Sequence, residues 1–313
     1  MANNGNRKKA TVLGFCAILM WGALALLSSF CGGIPPFQLT AMTFAIAFLA
    51  GIVLFVIRGM DFSVLRQPPS FWLNGLLGLF GYHALYFMAM KLIPSVEVNL
   101  IAYLWPVLIV LISSVLPGER LRWLQLSGVI VCFLGVTLLL LKDGAFRFST
   151  GKLPGYLLAL ACAIVWALYS INSSKQKRAP TVLIGAYCGM TAVLSFICHL
   201  LFEKTVHVPA AGWAPVLLLG LGPVGLAFFA WDHGVKNGSI KLLSALSYTA
   251  PLLSSILLVL FGKAAFSWGL VASCALIALG SALSAGDMLF RQRAKHSYAS
   301  NSCAQSDISA STP

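Results

Sequence analysis

Apolar residues run through this chain in long unbroken blocks separated by short polar punctuation. The blocks lie at about 10–30, 38–57, 71–90, 95–116, 122–141, 155–174, 181–202, 213–234, 239–261 and 266–289. Each is close to the ~20 helical residues that a ~30 Å hydrocarbon core requires. Strand spans are shorter and alternate apolar with polar positions, so continuous blocks of this length predict helices. The expected fold class is all-α integral membrane, with ten transmembrane helices. Every connection is short, which leaves no room for a soluble domain. From about residue 291 the chain turns polar and Ser-rich, His296 to Pro313 included, and is expected to stay disordered for want of apolar side chains to pack.

Composition agrees. The apolar set makes up 59% of 313 residues and the charged set 9%, where soluble domains carry roughly a quarter charged residues. The formal net charge is +13. In a soluble protein that excess would point to nucleic acid. Here the basic residues sit between apolar blocks and the aromatics lie inside them, so the lipid bilayer is the expected partner and nucleic acid is not. With the N-terminus inside, the inside segments hold Arg7, Lys8, Lys9, Arg58, Arg66, Arg120, Arg122, Lys175, Lys177, Arg178, Lys236, Lys241, Arg291, Arg293 and Lys295. These are fifteen, against six outside: Lys91, Lys142, Arg147, Lys152, Lys204 and Lys263. Cytoplasmic loops collect Lys and Arg, so both termini are expected in the cytoplasm of a bacterial inner membrane protein, with the 142–152 loop as the exception. Arg7, Lys8 and Lys9 look like a signal-peptide n-region, but the missing cleavage site and the spans that follow favour an uncleaved first helix. Cys31 follows the first block as a lipoprotein Cys would, yet Phe30 stands where a small residue is needed. Cys16, Cys132, Cys162, Cys188, Cys198 and Cys274 fall within apolar blocks with no C-x-x-C pair, so no metal or cofactor is expected.

Sliding the chain against itself by 145 residues pairs Trp21 with Trp166, Ser28 with Ser173 and Ser29 with Ser174. The same offset pairs Gly75 with Gly220, Tyr103 with Tyr248, Pro106 with Pro251, Trp123 with Trp268 and Gly135 with Gly280. Matches of Trp, Tyr, Pro and Gly at one gap-free offset are hard to obtain by chance. The chain divides into a cytoplasmic N-terminus (1–9), a first five-helix repeat (10–145), a second (146–290) and a cytoplasmic tail (291–313). Five is odd, so the second repeat must insert upside down. Inverted repeats can build a site at their interface and open it to either side by exchanging conformations, which is alternating access.

Several residues carry a resemblance to a known family. They are Asn99-Leu-Ile-Ala-Tyr103-Leu-Trp105-Pro106, Pro117-Gly118-Glu119-Arg120, Gly128 and Gly135, then Ser247-Tyr248-Thr249-Ala250-Pro251 and Gly280. Over about 10–289 the chain resembles the drug/metabolite transporter superfamily with its EamA-type repeats. The Tyr-Leu-Trp-Pro run, Ala230-Trp231-Asp232-His233-Gly234 and Asn237-Gly238 are similar to YddG-type aromatic amino acid exporters. Lys263 departs from the pattern, so any role of Glu119 is not duplicated. The resemblance implies an exporter of aromatic and other apolar amino acids, with other small metabolites or drugs of the superfamily as the alternative.

The polar and aromatic minority falls on helical faces that lipid would not stabilise. Asn99, Tyr103 and Pro106 share one, and Ser244, Tyr248, Pro251 and Ser255 its counterpart. Trp21 and Ser28 share another, matched by Trp166, Tyr169, Ser170 and Ser173, and His83, Tyr86, Phe87 and Met90 form a further face. Trp72, Trp123, Trp213 and Trp268 read instead as interface anchors. A cargo with an apolar ring and a charged head needs aromatic faces and a few hydrogen-bonding groups. The candidate substrate-binding set is Trp21, Tyr82, His83, Tyr86, Asn99, Tyr103, Trp166, Tyr169, Ser244 and Tyr248. His83 is a candidate for the cargo carboxylate or for proton sensing. Pro106 and Pro251 are candidate hinges because each removes a mid-helix hydrogen bond. Glu97 and Asp232 read as charges near span ends, without a central pairing to Lys or Arg, and facilitated diffusion and proton exchange remain alternatives. An enzyme is disfavoured: there is no H-E-x-x-H, and Asp287 in Ser284-Ala-Gly-Asp287 has no acidic partner. Phosphorylated cargo would require buried Lys or Arg, for which Lys241 is the sole candidate. One chain can enclose the cavity, so a monomer without an obligate protein partner is expected.

Overall fold

The computed structural model describes residues 4–114, 123–141, 150–263 and 265–284, and among them there is helix but no strand. The Pro117–Arg120 motif, Lys142, Arg147, Asp287 and the tail after 291 lie outside the described residues. Seven helical stretches are long and apolar enough to cross a membrane: Gly5–Ser29, Pro36–Ile57, Glu97–Ser114, Thr150–Lys175, Thr181–Phe202, Trp213–Asn237 and Ile240–Leu260. Helix also occupies the remaining predicted blocks, from Pro69 to Leu92 and in the shorter apolar helices at Trp123 and Trp268.

We label the helices in chain order. The first half holds α1 (Asn4–Gly22), α2 (Leu24–Ser29), α3 (Pro36–Ile57), α4 (Pro69–Gly75), α5 (Tyr82–Leu92), α6 (Ser95–Ala102), α7 (Trp105–Ser114) and α8 (Trp123–Leu140). The second holds α9 (Leu153–Lys175), α10 (Ile184–Phe202), α11 (Trp213–Leu221), α12 (Ala227–Asn237), α13 (Ile240–Leu246), α14 (Thr249–Leu260) and α15 (Trp268–Ser284). Proline opens α3 and α4, where its missing N–H costs nothing and its fixed φ suits a first turn. Gly59 (φ 56°) and Gly262 (φ 67°) end α3 and α14 in the left-handed conformation that glycine adopts without strain.

Three kinds of interruption shape the bundle. A π turn joins α4 to α5 at Leu76–Gly81, and another joins α11 to α12 at Gly222–Leu226; shifted by the repeat offset, the two coincide within a residue. The two spans that carry Pro106 and Pro251 are broken at Tyr103–Leu104 and Ser247–Tyr248, each just before its proline. A third break, at Ala23 between α1 and α2, departs from the continuous span expected there.

Two pairs of helices that are repeat counterparts touch each other, and they do so head to tail. Along α3 and α10, Phe37 and Gln38 meet Glu203, Phe48 meets Gly189, and Gly51 meets Gly185. As numbers rise on one helix they fall on the other. The pair α8 and α15 behaves alike: Gly128 meets Ser284, Cys132 meets Gly280 and Ile277, and Gly135 meets Ser273. Small residues allow this close backbone approach between membrane helices. Gly14 of α1 faces Gly234 of α12, and their counterparts Ala159 of α9 and Ala89 of α5 lie together, fully buried. Outward-facing side chains such as Leu49, Val56, Ile57, Leu200, Leu201 and Leu218 are exposed, as a lipid-contacting surface requires. Trp123 and Trp268 stand 77% and 80% exposed at helix starts. Trp72 instead lies half-buried, edge-on to Phe71 at 5.3 Å.

Candidate functional site

Where the two halves meet, α1, α5, α7, α9 and α12 bring aromatic side chains together. Trp21 lies 5.7 Å from Trp166 and 5.2 Å from Trp231 between ring centroids. Trp105 packs edge-on against Trp166 at 6.2 Å and Trp231 at 5.7 Å. Tyr169 adjoins Trp166 at 5.2 Å, and Tyr82 reaches Trp166 at 5.3 Å. From Tyr82 the wall continues to a stacked Tyr86 at 6.1 Å, and through His83 to Phe44 at 5.2 Å. Edge-to-face and offset packing of this kind adds about 0.5–1.5 kcal/mol per pair beyond burial.

The interruptions in the helices supply this wall with hydrogen bonds. A π turn frees carbonyls from the helical ladder. The Trp21 Nε1–H donates to the Pro223 carbonyl at 3.0 Å, and His83 Nδ1 lies 2.7 Å from the Leu79 carbonyl. A carbonyl can only accept, so Nδ1 carries the hydrogen and, on a neutral ring, Nε2 is left as an acceptor. The Tyr86 hydroxyl donates to Asn99 Oδ1 at 2.6 Å. That bond orients the amide and leaves its NH2 group as a donor. Trp231 Nε1–H donates to Ser170 Oγ at 3.2 Å, and Ser173 accepts from Asn74 at 3.3 Å.

Burial is graded along this wall. Trp105, Trp166 and Trp231 are 6%, 5% and 0% exposed. Tyr82, His83, Tyr86, Asn99 and Tyr103, toward the end where α6 begins, are half-buried. The end where α12 finishes holds a buried ion pair. Lys236 Nζ lies 2.8 Å from Asp232 Oδ2 and donates to the Ala179 carbonyl at 3.0 Å, while the Thr181 hydroxyl donates to the same carboxylate at 2.7 Å. Both charges are buried. At the other end Lys152 pairs with Glu97 at 3.1 Å. There Glu203 caps α3, accepting from the Phe37 and Gln38 backbone N–H groups at 3.0 and 3.1 Å and meeting His199 at 3.0 Å. The sequence places Asp232 and Glu97 near span ends without a central pairing, and the structure pairs both with lysine near the helix ends.

The structure thus gathers Trp21, Tyr82, His83, Tyr86, Asn99, Trp166 and Tyr169 into one connected wall. Tyr103 and Tyr248 form a neighbouring pair at 6.5 Å, backed by Phe133. Ser244 stands apart: it is fully buried and its hydroxyl donates to the Ile240 carbonyl of its own helix at 2.7 Å. Four aromatics of the wall were not in the candidate set: Phe44, Trp105, Trp231 and Phe228, the last of which lies 6.0 Å from Trp21. The repeat offset signals two of them, because Trp231 is the counterpart of Tyr86 and Phe228 of His83. Lys236 was legible as the residue four positions after Asp232, one helical turn away.

The EamA-like transporter family model matches the chain twice, over residues 8–141 and 153–286. The chain belongs to the EamA-like transporter family. The two matched segments are the two halves whose helices pack head to tail. Among relatives of this transporter, the aromatic amino acid exporter YddG of Ancylobacter novellus is 49% identical, over 89% of this chain and 97% of that one. The aromatic amino acid exporter YddG of Escherichia coli is 26% identical, over 88% and 97%. A probable terminal-alkyne amino-acid exporter of Streptantibioticus cattleyicolor is 28% identical, over 83% and 84%. A solved crystal structure of 48% identity superposes with a TM-score of 0.84, covering 89% of this chain and 98% of that one.

Proposed function

We propose that this transporter exports aromatic and other apolar amino acids from the cytoplasm by alternating access. The observation that carries this reading is the graded wall: tryptophans and tyrosines around a few oriented polar groups, built by helices from both halves. Ring-bearing cargo gains dispersion and edge contacts from Trp21, Tyr82 and Trp166. The Asn99 NH2 group suits the cargo carboxylate, and the His83 Nε2 lone pair suits its ammonium group. This reverses the carboxylate role that the sequence alone suggested for His83. Tyr86 and Tyr169 hold the wall in register, and Tyr103, backed by Tyr248, borders it. The high identity to an aromatic amino acid exporter adds weight.

In this reading the chain crosses the membrane ten times as two inverted five-helix repeats, 10–145 and 146–290. The seven long apolar helices, the shorter ones at Trp123 and Trp268, and the stretch from Pro69 to Leu92 supply the spans. Head-to-tail contact between counterparts supports the inversion. Fifteen basic residues against six put both termini in the cytoplasm. The Asp232–Lys236 end then faces inward, so the conformation is closed to the cytoplasm. Pro106 and Pro251 act as paired hinges, and one chain suffices to carry the site.

Purified protein in liposomes, offered labelled Phe, Trp, Thr and a phosphosugar, tests this directly. Saturable flux of Phe and Trp, stimulated by amino acid on the opposite side, is expected. Movement of the phosphosugar alone overturns the reading. Repeating the assay with an imposed pH gradient separates facilitated diffusion from proton exchange.

A further inference from the structure

Tyr248 sits at the break between α13 and α14, yet its hydroxyl serves the other broken span. The residue is fully buried, and its hydroxyl donates at 3.0 Å to the Tyr103 carbonyl. Among the described residues no backbone bond joins that carbonyl to the Val107 N–H. In an unbroken α-helix that carbonyl and that N–H would bond to each other, since they stand four residues apart. The hydroxyl is therefore inserted into the ladder between α6 and α7, and insertion of a side chain is one physical cause of a sharp kink.

The repeat makes this contact symmetric in sequence but not in structure. Tyr103 and Tyr248 are counterparts, 145 residues apart, and their rings lie 6.5 Å from each other. The Tyr103 ring is only half-buried, and its hydroxyl does not reach the Tyr248 carbonyl. The helix after the second break resumes at Thr249, counterpart of Leu104, whereas the helix after the first resumes at Trp105. Among the described residues the second break holds no inserted tyrosine hydroxyl. Its loose ends are tied by its own hydroxyls: Ser247 donates to Leu243 and Thr249 to Leu246, both at 2.7 Å.

We propose that Tyr103 and Tyr248 are alternating staples of the two breaks. In the conformation seen, Tyr248 holds the α6–α7 break open. When the halves exchange conformations, the Tyr103 hydroxyl takes the Tyr248 carbonyl and the Tyr248 hydroxyl lets go. The inference rests on the inverted-repeat transporter reading above, and it gives the pair a positioning role within the cycle. Each staple stabilises one conformation only, so a ligand-free population should respond to removing either one, in opposite directions.

The test uses Ala179→Cys as a probe in the full-length protein, in a background cleared of its native cysteines. Ala179 is 7% exposed, and its carbonyl binds Lys236 at the closed end. Labelling by a water-soluble maleimide therefore reports opening of that end. Tyr248→Phe is expected to raise the labelling rate about threefold, the weight of one interhelical hydrogen bond in a membrane. Tyr103→Phe is expected to lower it about threefold, and the double variant to return it near the starting rate. A merely structural role predicts that both single variants loosen the protein and label faster. Faster labelling of Tyr103→Phe, or no change in either variant, overturns the proposal. Labelling needs no cargo, so these outcomes judge the staples, whereas a silent flux assay would judge the amino acid reading.

Discussion

At the residue scale, function depends on how a few polar atoms are held among rings. Asn99 is informative because one neighbour fixes its orientation. Replacing Tyr86 with Phe removes the hydroxyl donated to Asn99 Oδ1 at 2.6 Å and lets the amide rotate. The expected result is a severalfold weaker apparent affinity for Phe, with a loss of stability of only about 1 kcal/mol, read as KM in liposomes beside a thermal melt in detergent. An unchanged KM would remove Asn99 from the head-group contact. Trp231 is a packing residue first, being fully buried among Trp21, Trp105 and Trp166. Trp231→Ala should cost about 3–5 kcal/mol, whereas Trp231→Phe should fold and transport Trp more slowly. Sequence reasoning reached most of this wall because aromatic side chains deep in a lipid-crossing block have few other uses. Phe44, Trp105, Trp231 and Phe228 stood outside the candidate set because the helix each packs against leaves no mark on local periodicity.

At the element scale, glycine pairs and broken helices set the geometry. A Cβ on Gly128 would come within 2.6 Å of the Gly280 carbonyl and 2.5 Å of Ser284 Oγ. Neither α8 nor α15 has room to yield, so Gly128→Val should lower stability by about 1–3 kcal/mol, seen as an earlier thermal melt. Pro106→Ala restores an N–H that can reach the Ala102 carbonyl and so favours a straighter α6–α7. Transport should slow severalfold while equilibrium binding of Phe changes little; an intact rate would show that the break is a static bend. The breaks at Tyr103–Leu104 and Ser247–Tyr248 were legible from the two prolines. The break at Ala23 was not, because no proline accompanies it; there Gly22 leaves room for the Leu253 side chain of α14, which a Cβ would meet at 2.6 Å.

At the scale of the whole molecule, one end is locked by Asp232, Lys236 and Thr181. Removing one member of a buried ion pair strands the other charge and costs about 3–5 kcal/mol. Lys236→Gln should therefore melt much earlier than the wild type, and Asp232→Asn combined with Lys236→Gln should recover part of the loss. The same double variant should label faster at a cysteine placed at Ala179, because the closed end loses its tie to the α9–α10 connection. A double variant no more stable than the single one would argue against a pairwise tie. The amino-acid sequence by itself determined the membrane class, the helical blocks and the two related halves. Those properties are additive along the chain: apolar length, basic residues per loop and matches at a single offset can each be read without knowing what touches what. Only the tertiary structure decided that Asp232 is paired, that Ser244 faces its own helix, that the π turns feed carbonyls to Trp21 and His83, and that Tyr248 fills the break in the opposite half. Trp21 with Pro223 and Tyr248 with Tyr103 are joined across more than a hundred residues through a carbonyl oxygen, and no local pattern encodes which distant group will complete a hydrogen bond.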